Sequence, residues 1–418
     1  MTIAALMRKG LIALLLVPVL AALFAGLLTA SFSLPNAPIT QHLLEREDLL
    51  DDRRTNNGRV IDADTECIGL SVGLYQSGTP NKPEAGPFKR AMHAKSLYGC
   101  EQFQHWLKTG KTNTDRDYFR YWHGYAIVTR PALSVVPYND LRGHLFNLSV
   151  LLLGIFVWRI AKDFGVGVAI AIAAPFVVLN AFGFWVVATK AVTWFLLMGG
   201  ALMVSRRSTA TVPVILFFIL GALTAFFDFF TAPALVFALA AFVHFLYCVR
   251  DDTMDRPFRR LLMLGLFWGA GYAGLWAAKF VIAAMVLELP VWRDVVDAAF
   301  FRLRGASEHV DTFLPGAAIF ENLTALKSFW GLVALFVFGI LPFIRREYRS
   351  QWHDLIHRGR IFMVIAMIPI LWLEVLSNHS QIHAAFTQLN LALVFMMNGL
   401  VVAGWAGGKA GILTSNGG

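Results

Sequence analysis

Long apolar runs separated by short basic stretches extend over most of the chain. A helix needs about 20 apolar residues to cross a bilayer, and shorter runs can be tilted, broken or re-entrant. The pattern predicts about ten transmembrane helices and therefore an all-α polytopic membrane protein. The apolar runs fall near residues 10–31, 144–161, 165–187, 191–205, 211–228, 232–249, 261–286, 328–344, 361–377 and 390–407.

One long polar stretch, residues 32–142, lies between the first two apolar runs and carries most of the chain's polar residues. Apolar positions spaced along 35–50 and 88–108 predict interfacial helices within it. The first apolar run is too long for a signal-peptide core and lacks a clean cleavage site, so we interpret it as a retained anchor. The pattern divides the chain into an N-terminal helix (1–31), a large polar loop (32–142), a helical bundle (143–286), a second polar loop (287–327), and C-terminal helices with a short tail (328–418).

Composition agrees with a membrane protein. Of the 418 residues, 57% are hydrophobic and 15% are charged, whereas a soluble domain carries about 25% charged residues. Most of the formal net charge of +9 comes from Lys and Arg beside the apolar runs. This is the usual orientation signal and does not require a nucleic-acid partner.

The basic residues predict the orientation. With a cytoplasmic N-terminus, most short basic loops fall on the cytoplasmic side, and both termini are expected there. The two polar loops, Asp228 and the 378–386 stretch then share the extracytoplasmic face. Polar groups from distant parts of the chain therefore converge on one side of the membrane, which is the main functional signal in the sequence.

The three cysteines fit no zinc-binding pattern. Cys67 and Cys100 lie in the large loop, and Cys248 lies near a membrane end. If the loop is extracytoplasmic, Cys67 and Cys100 can form a disulfide; two free thiols are the equal alternative.

Three carboxylates alternate in the large loop. An extended segment would put Asp62, Asp64 and Glu66 on one face, whereas a helix would splay them. One of them can serve as a general base that deprotonates an acceptor hydroxyl. A solvated acidic turn is the alternative.

An aromatic and basic string, Arg120 to Tyr125, follows later in the same loop. Arg120 can bind a phosphate or carboxylate through two hydrogen bonds. Trp122 can stack on a sugar face, and His123 lies beside it. An interfacial aromatic belt is the alternative.

Other candidates are polar residues near the predicted outer ends of membrane helices. Asp228 interrupts an apolar run, which favours a function unless it marks a turn. Lys279 can snorkel to the interface or meet a lipid phosphate. Arg302 in the second loop suits a phosphate headgroup or a solvated surface. His379 and His383 share a helix face at a metal-ligand spacing, although we favour hydrogen bonding to substrate.

No Gly-rich phosphate loop, nucleotide fingerprint or nucleophile elbow is present. Soluble nucleotide substrates are therefore not expected.

The order of parts resembles the GT-C superfamily of membrane glycosyltransferases: one long helix, a large outer loop rich in carboxylates and interfacial helices, then spans of uneven length. At finer grain the chain is similar to a group of bacterial membrane proteins of this type. The stretches that carry this resemblance are Thr65-Glu66, Arg120-Tyr121-Trp122-His123-Gly124, Arg130-Pro131, Asp228-Phe229-Phe230-Thr231-Ala232-Pro233, Lys279, and Asn378-His379-Ser380 with His383, Phe386 and Thr387.

The resemblance implies an inverting glycosyltransferase of the bacterial inner membrane with an extracytoplasmic active site. It would move a sugar from a polyprenyl-phosphate-linked donor lipid to a glycan, lipid or protein acceptor. Glu66 would be the general base. Asp64 and Asp62 stay open as alternates, because related proteins usually carry Asp where this chain has Glu66. A divalent cation stays open as a cofactor, and no residue is assigned to a metal.

The resemblance also implies roles in binding. Arg120 and His123 would orient the sugar or phosphate, and Asp228 would hold the acceptor or a cationic neighbour. The departing phosphate needs cationic stabilisation, which Lys279, Arg302 and His379 would supply. The residues expected to bind donor or substrate are Arg120, Trp122, His123, Asp228, Lys279, Arg302, Asn378, His379 and His383.

Three other functions remain open. A transporter or flippase for lipid-linked sugars would need polar residues along its helices and two pseudo-repeated halves, whereas here the polarity lies on one face. A non-catalytic cell-envelope assembly protein would use the loop to bind a partner and would tolerate the loss of any single carboxylate. A metal-dependent hydrolase of lipid headgroups, acting through His379 and His383, would be inhibited by a chelator.

Overall fold

A computed structural model describes residues 3–46, 63–74, 89–92, 99–110, 114–179, 181–205, 212–287, 291–304, 314–326 and 359–403, together with residues 333, 336 and 340. The elements begin with α1 (Ile3–Phe32), α2 (Asn36–Leu44), α3 (Ala63–Ser71), β1 (Lys89–Met92), α4 (Gly99–Thr109), β2 (Thr114–Asp117), α5 (Ala126–Leu133), α6 (Tyr138–Phe164), α7 (Val166–Val178), α8 (Phe182–Val186) and α9 (Ala188–Ser205). They continue with α10 (Val214–Phe227), α11 (Pro233–Arg250), α12 (Pro257–Leu287), α13 (Val291–Arg304), α14 (Ala317–Thr324), α15 (Arg360–Val375), α16 (Ser377–Ile382), α17 (Ala384–Thr387), a 3-10 helix (Gln388–Leu391) and α18 (Ala392–Val402).

The described residues form a helical membrane protein, as the apolar pattern predicts. Six of their helices are long and apolar enough to cross a bilayer. They are Ala4–Phe32, Tyr138–Phe164, Ala188–Ser205, Pro233–Arg250, Pro257–Leu287 and Ala384–Val401.

Several other predicted spans are shorter than the apolar pattern suggests. The run predicted at 165–187 is divided into α7 and α8, with 13 and 5 residues. Helices α10 and α15 have 14 and 16 residues. The run predicted at 328–344 lies outside the described residues, apart from three isolated positions.

Helix α11 lies at the centre of the bundle. All of its side chains from Pro233 to Val249 are buried, and it packs against α9, α10, α12 and α15. Helices α1, α6 and α12 instead expose apolar side chains, among them Leu14, Leu151 and Leu262. Exposed apolar surface of this extent is typical of helix faces that meet lipid.

Helices α10 and α12 cross in backbone contact. A Cβ atom at Gly221 would overlap the carbonyl oxygen of Trp268, and one at Gly271 would overlap the carbonyl oxygen of Phe218. Only glycine fits at such an approach, and small residues commonly allow membrane helices to pack this closely.

The large loop is a folded layer in its described part. The Asp64–Glu66 segment belongs to α3 rather than to an extended strand, so the two carboxylates point in different directions. A disulfide between Cys67 and Cys100 joins α3 to α4. The predicted helical region 88–108 is partly wrong, because Lys89–Met92 pairs with Thr114–Asp117 in an antiparallel ladder.

The two ends of the bundle differ in character. One end, here called the loop end, carries α2–α5, α13 and α16, together with the first residues of α6, α9 and α11. The other end, here called the basic end, carries Arg159, Arg250, Arg260 and Arg360. Asp228 and Lys279 both lie toward the loop end, which brings the candidate residues of distant segments together.

Candidate functional site

The Glu66 carboxylate is a buried helix cap. One oxygen accepts hydrogen bonds from the Ala188 N–H (2.7 Å) and the Tyr138 hydroxyl (3.2 Å). The other accepts from the backbone N–H (2.9 Å) and hydroxyl (2.6 Å) of Thr189. Ala188 and Thr189 are the first residues of α9, so Glu66 accepts hydrogen bonds from N–H groups that have no partner within the helix. Its negative charge also interacts favourably with the positive end of the helix dipole.

Asp228 caps α11 in the same way. Its carboxylate accepts hydrogen bonds from the N–H groups of Thr231 (3.0 Å) and Ala232 (3.3 Å), just before the helix begins at Pro233. The hydroxyl of Thr193 on α9 donates a further bond of 2.9 Å. Asp228 therefore marks the turn between two helices and also joins α9 to α11.

Two other acids of the loop end follow the same pattern. Glu374 accepts bonds from the N–H groups of Gly316 and Ile319 at the start of α14. Asp64 accepts a bond from the N–H of Cys100 at the start of α4, at 3.2 Å. The third loop candidate, Asp62, lies outside the described residues.

A cavity of about 140 Å³ opens between the large loop, α13 and α16. The described side chains around it include two arginines and two histidines but no carboxylate. Glu66 and Asp228 lie outside its lining. The lining residues are Thr65, Ile68, Tyr118, Arg120, Tyr121, Phe229, Phe301, Arg302, His379, Ile382, His383 and Phe386.

Arg302 is the most buried cation of this lining. One of its terminal nitrogens donates a 2.7 Å hydrogen bond to the Tyr121 hydroxyl oxygen, and the other donates to the Ala298 carbonyl at 3.2 Å. Its Nε is buried without a hydrogen-bond acceptor in the described part of the chain. Burial raises the pKa of Tyr121 to about 12, against the opposing effect of Arg302. Tyr121 therefore stays a neutral phenol at physiological pH.

Arg120 lines the cavity as half of an ion pair. Its guanidinium meets the Asp294 carboxylate of α13 at 3.3 Å, and both side chains are partly exposed. The pair links the large loop to the second polar loop. Because the two charges compensate each other, the pair contributes little net charge to the cavity.

The Lys279 side chain is fully buried, and no ion pair joins its amine to a carboxylate of the described residues. Its exposed fraction is 0%, and its amine has no hydrogen-bond acceptor there. The amine nitrogen lies 4.0 Å from the centre of the Phe280 ring and 5.0 Å from that of Trp276. Trp276 packs against Tyr121, so Lys279 lies beside the cavity wall rather than among its lining residues.

His379 and His383 lie side by side at the cavity, with ring centres 4.6 Å apart. The Nε2 of His379 lies 3.1 Å from the carbonyl oxygen of Phe230. A carbonyl only accepts, so this nitrogen carries a hydrogen. Phe230 has a left-handed backbone with φ of 58°. Strained non-glycine residues of this kind concentrate at functional sites.

Three predicted binding residues are not among the residues that line the cavity. The Trp122 indole donates to the Leu275 carbonyl at 2.9 Å and packs between loop and bundle. His123 is held between the Tyr125 hydroxyl and the Tyr118 carbonyl. Asn378 donates to the Phe301 carbonyl at 2.8 Å and so joins α16 to α13. These contacts give the three side chains positioning roles.

Sequence reasoning missed several residues of the site. Asp294 lies on the polar side of the amphipathic helix α13, which is a detectable signal. Tyr121 belongs to the aromatic string and was not singled out within it. Nothing in the sequence indicates the left-handed backbone of Phe230.

The described residues contain no cluster of three or more His, Cys, Asp or Glu side chains placed to hold a metal ion. The His379–His383 pair supplies two nitrogen donors beside Arg302 and Arg120. Arg302, which has no described carboxylate partner, would repel a metal cation, so this donor set fits an anion better than a metal.

The fold and site together define a helical membrane protein with a cationic, aromatic cavity at its loop end. No family model, curated protein or solved structure matches the chain.

Proposed function

We propose that the protein is a membrane glycosyltransferase of the GT-C type that uses a polyprenyl-phosphate-linked sugar as its donor. The observation that carries the proposal is a pair of buried donors without acceptors, the amine of Lys279 and the Nε of Arg302, beside a cavity at the loop end. Buried donors without an acceptor are costly, and a phosphate oxygen would supply the missing acceptors.

The surroundings of the cavity favour a lipid as the carrier of that phosphate. Lys279 belongs to α12, which is long and apolar enough to span a bilayer, and its amine lies against two aromatic rings. A phosphate bound here would lie at headgroup level, with its acyl or prenyl chain against the lipid-facing side of the helix. The disulfide supports an oxidising, extracytoplasmic location for the loop end.

The proposed reaction is an inverting transfer. The acceptor hydroxyl oxygen forms a bond to the anomeric carbon, and the bond from that carbon to the phosphate oxygen breaks. The phosphate leaves with the bonding electron pair as a lipid monophosphate. Arg302 and Lys279 stabilise the charge that develops on it.

The acceptor proton needs a base within reach of the cavity. The resemblance assigns this role to Glu66, with Asp64 and Asp62 as alternates. All the acceptor positions of the Glu66 carboxylate are occupied by α9 and Tyr138. The His379–His383 pair lines the cavity. We therefore assign the role of general base to this pair and the capping role to Glu66.

The test is release of polyprenyl phosphate from polyprenyl-phosphate-linked hexoses and pentoses by the purified protein in liposomes, followed by mass spectrometry. We expect Arg302→Gln to lower the rate by about 100-fold, because it removes a buried donor to the leaving group. Lys162→Met is the matched control, since Lys162 is exposed at the basic end. If no donor releases phosphate with a glycan, lipid or protein acceptor, the proposal is wrong.

A further inference from the structure

The turn between α10 and α11 reaches the cavity through one residue, Phe230. Its carbonyl oxygen lies 3.1 Å from the Nε2 of His379. The centre of its ring lies 5.9 Å from that of His379 and 5.5 Å from the guanidinium carbon of Arg302. Phe230 therefore packs against two of the groups to which the proposed function gives a chemical role.

The backbone of Phe230 is in a conformation that its side chain does not favour. Its φ of 58° lies in the left-handed region, where a residue with a bulky side chain is strained. Such a conformation persists only where the surrounding contacts hold it. The direction of the carbonyl depends on it, because a change of φ at Phe230 would turn every atom that follows the Cα atom.

Asp228 and His379 bind the two ends of one peptide group. The Phe230 carbonyl and the Thr231 N–H belong to the same planar trans unit, so they point in opposite directions. Asp228 accepts from this N–H at 3.0 Å, and His379 donates to this carbonyl at 3.1 Å. The hydroxyl of Thr193 in turn donates to the Asp228 carboxylate at 2.9 Å. Because the peptide group is rigid, holding its N–H also holds its carbonyl.

We propose that Asp228 is a positioning residue for His379, and that it acts through the peptide group of Phe230 and Thr231 to hold the imidazole in the form with its hydrogen on Nε2. In the neutral ring Nδ1 then carries the lone pair, so it is the atom that accepts a proton. The inference rests on the proposed function for the chemical use of that atom. It deepens that function by naming the nitrogen that takes the proton and the group that orients it.

The same arrangement stabilises the ring after proton transfer. In the proposed reaction the acceptor hydroxyl gives its proton to Nδ1 of His379 while its oxygen bonds to the anomeric carbon. The ring becomes an imidazolium with hydrogens on both nitrogens. The Phe230 carbonyl still accepts from Nε2, and a hydrogen bond from a charged donor is stronger than one from a neutral donor.

The test is the ¹⁵N spectrum of the histidines in the full-length protein in detergent at pH 8, where an ordinary histidine is neutral. The His379 signals are assigned from their absence in His379→Gln. We expect the form with hydrogen on Nε2 to be favoured by at least about tenfold, because a buried hydrogen bond depends on it. A His379 ring that carries its hydrogen on Nδ1 would overturn the proposal.

Variants of the turn test the origin of this preference. Asp228→Ala removes the acceptor from the shared peptide group and should reduce the preference to less than about threefold. Asp228→Asn keeps an acceptor oxygen and should restore the preference, which separates positioning from charge. Thr193→Val removes only the hydroxyl that holds the carboxylate, so it should give an intermediate preference and serves if Asp228→Ala does not fold.

Tyr247→Phe is the matched control for a general loss of stability. It removes the hydrogen bond from a buried hydroxyl to Asp163, near the opposite end of α11, and it should leave the His379 signals unchanged. If Asp228→Ala and Thr193→Val both keep the wild-type preference, Asp228 does not position His379.

Activity and ligand binding separate this proposal from the proposed function. In liposomes Asp228→Ala should lower kcat for polyprenyl phosphate release by about 10- to 100-fold, with KM changed by less than about threefold, because a misoriented base affects the chemical step. Farnesyl phosphate, a short analogue of the lipid monophosphate, should shift the His379 signals of the wild-type protein.

The outcomes are distinct. If farnesyl phosphate shifts no His379 signal and no donor releases phosphate, the proposed function is wrong, while the orientation of His379 by Asp228 stands on the spectra. If Asp228→Ala releases phosphate with the kcat of wild type, the positioning role is wrong and the proposed function stands.

Discussion

Buried acids and buried cations at the loop end have opposite surroundings. Glu66 and Asp228 each accept several hydrogen bonds from hydroxyls and from backbone N–H groups at or just before the start of a helix. Lys279 and the Nε of Arg302 have no acceptor among the described residues. Burial of a charge therefore does not by itself indicate function in this protein. A satisfied charge holds the fold together, whereas the unsatisfied donors of Lys279 and Arg302 are where the proposed function places its phosphate.

The largest expected effect comes from removing the Glu66 carboxylate. Glu66→Ala leaves four donors buried without this acceptor: two N–H groups and a hydroxyl of α9, and the hydroxyl of Tyr138. We expect a loss of about 3–5 kcal/mol in the free energy of unfolding, measured by denaturant titration in detergent. Farnesyl phosphate binding by the folded fraction should be unchanged.

Glu66→Gln is the matched control for this prediction. It keeps the size and one acceptor oxygen, so we expect a loss of only about 1–2 kcal/mol. A Glu66→Gln protein that is as stable as wild type yet inactive in sugar transfer would contradict the capping role. Glu66 would then be the general base.

Removing the amine of Lys279 should have the opposite effect on stability from removing the Glu66 carboxylate. Lys279→Met replaces an unpaired buried amine with a side chain of similar volume, so we expect stability to stay equal or to rise by about 1–2 kcal/mol. Affinity for farnesyl phosphate should fall at the same time. If the variant unfolds several degrees below wild type in a thermal scan, Lys279 contributes to the stability of the fold. The difference drawn here between the buried acids and Lys279 would then be wrong.

Replacing the Asp228 carboxylate with an amide should have a smaller effect on stability. One oxygen of this carboxylate accepts from Thr193, Thr231 and Ala232, and an asparagine oxygen can take its place. We expect Asp228→Asn to cost about 1 kcal/mol and Asp228→Ala clearly more, both by denaturant titration. Equal losses for the two variants would mean that the negative charge, rather than the hydrogen-bond acceptor, holds α11 in place.

The smallest effect is expected at the exposed ion pair. Asp294 is partly solvated beside Arg120, so Asp294→Asn should change stability by less than about 1 kcal/mol. It releases the charge of Arg120 to the cavity, and we expect farnesyl phosphate to bind a few fold more tightly in low salt, with the gain reduced at high salt. Weaker binding would place Asp294 among the ligand contacts.

The sequence predicts the class of fold and the location of the site better than it predicts the role of each residue. Apolar runs are local patterns, so the helical membrane class follows from them directly. The convergence of Arg120, Arg302, His379 and His383 around one cavity agrees with the one-sided polarity predicted from the basic residues. Span lengths are less predictable, because breaks such as the one between α7 and α8 depend on packing.

The roles are less predictable because the partners lie far apart along the chain. Glu66 and Thr189 are separated by 123 positions, and Trp122 and Leu275 by 153. No local pattern reveals whether a carboxylate will cap a distant helix or an indole will donate to a distant carbonyl. The disulfide between Cys67 and Cys100 was one of two equal alternatives for the same reason.

The glycine crossing of α10 and α12 has a mechanical consequence for the cavity. Backbones in direct contact at Gly221 and Gly271 cannot slide past each other without large gaps opening in a close-packed interface. The two helices therefore form a rigid pair, and Lys279 on α12 keeps a fixed position relative to α10. At the cavity, α13 is tied to the rest of the protein by the bonds from Asn378 to Phe301 and from Arg302 to Tyr121 and by the pair at Asp294, so widening the cavity there would break these contacts.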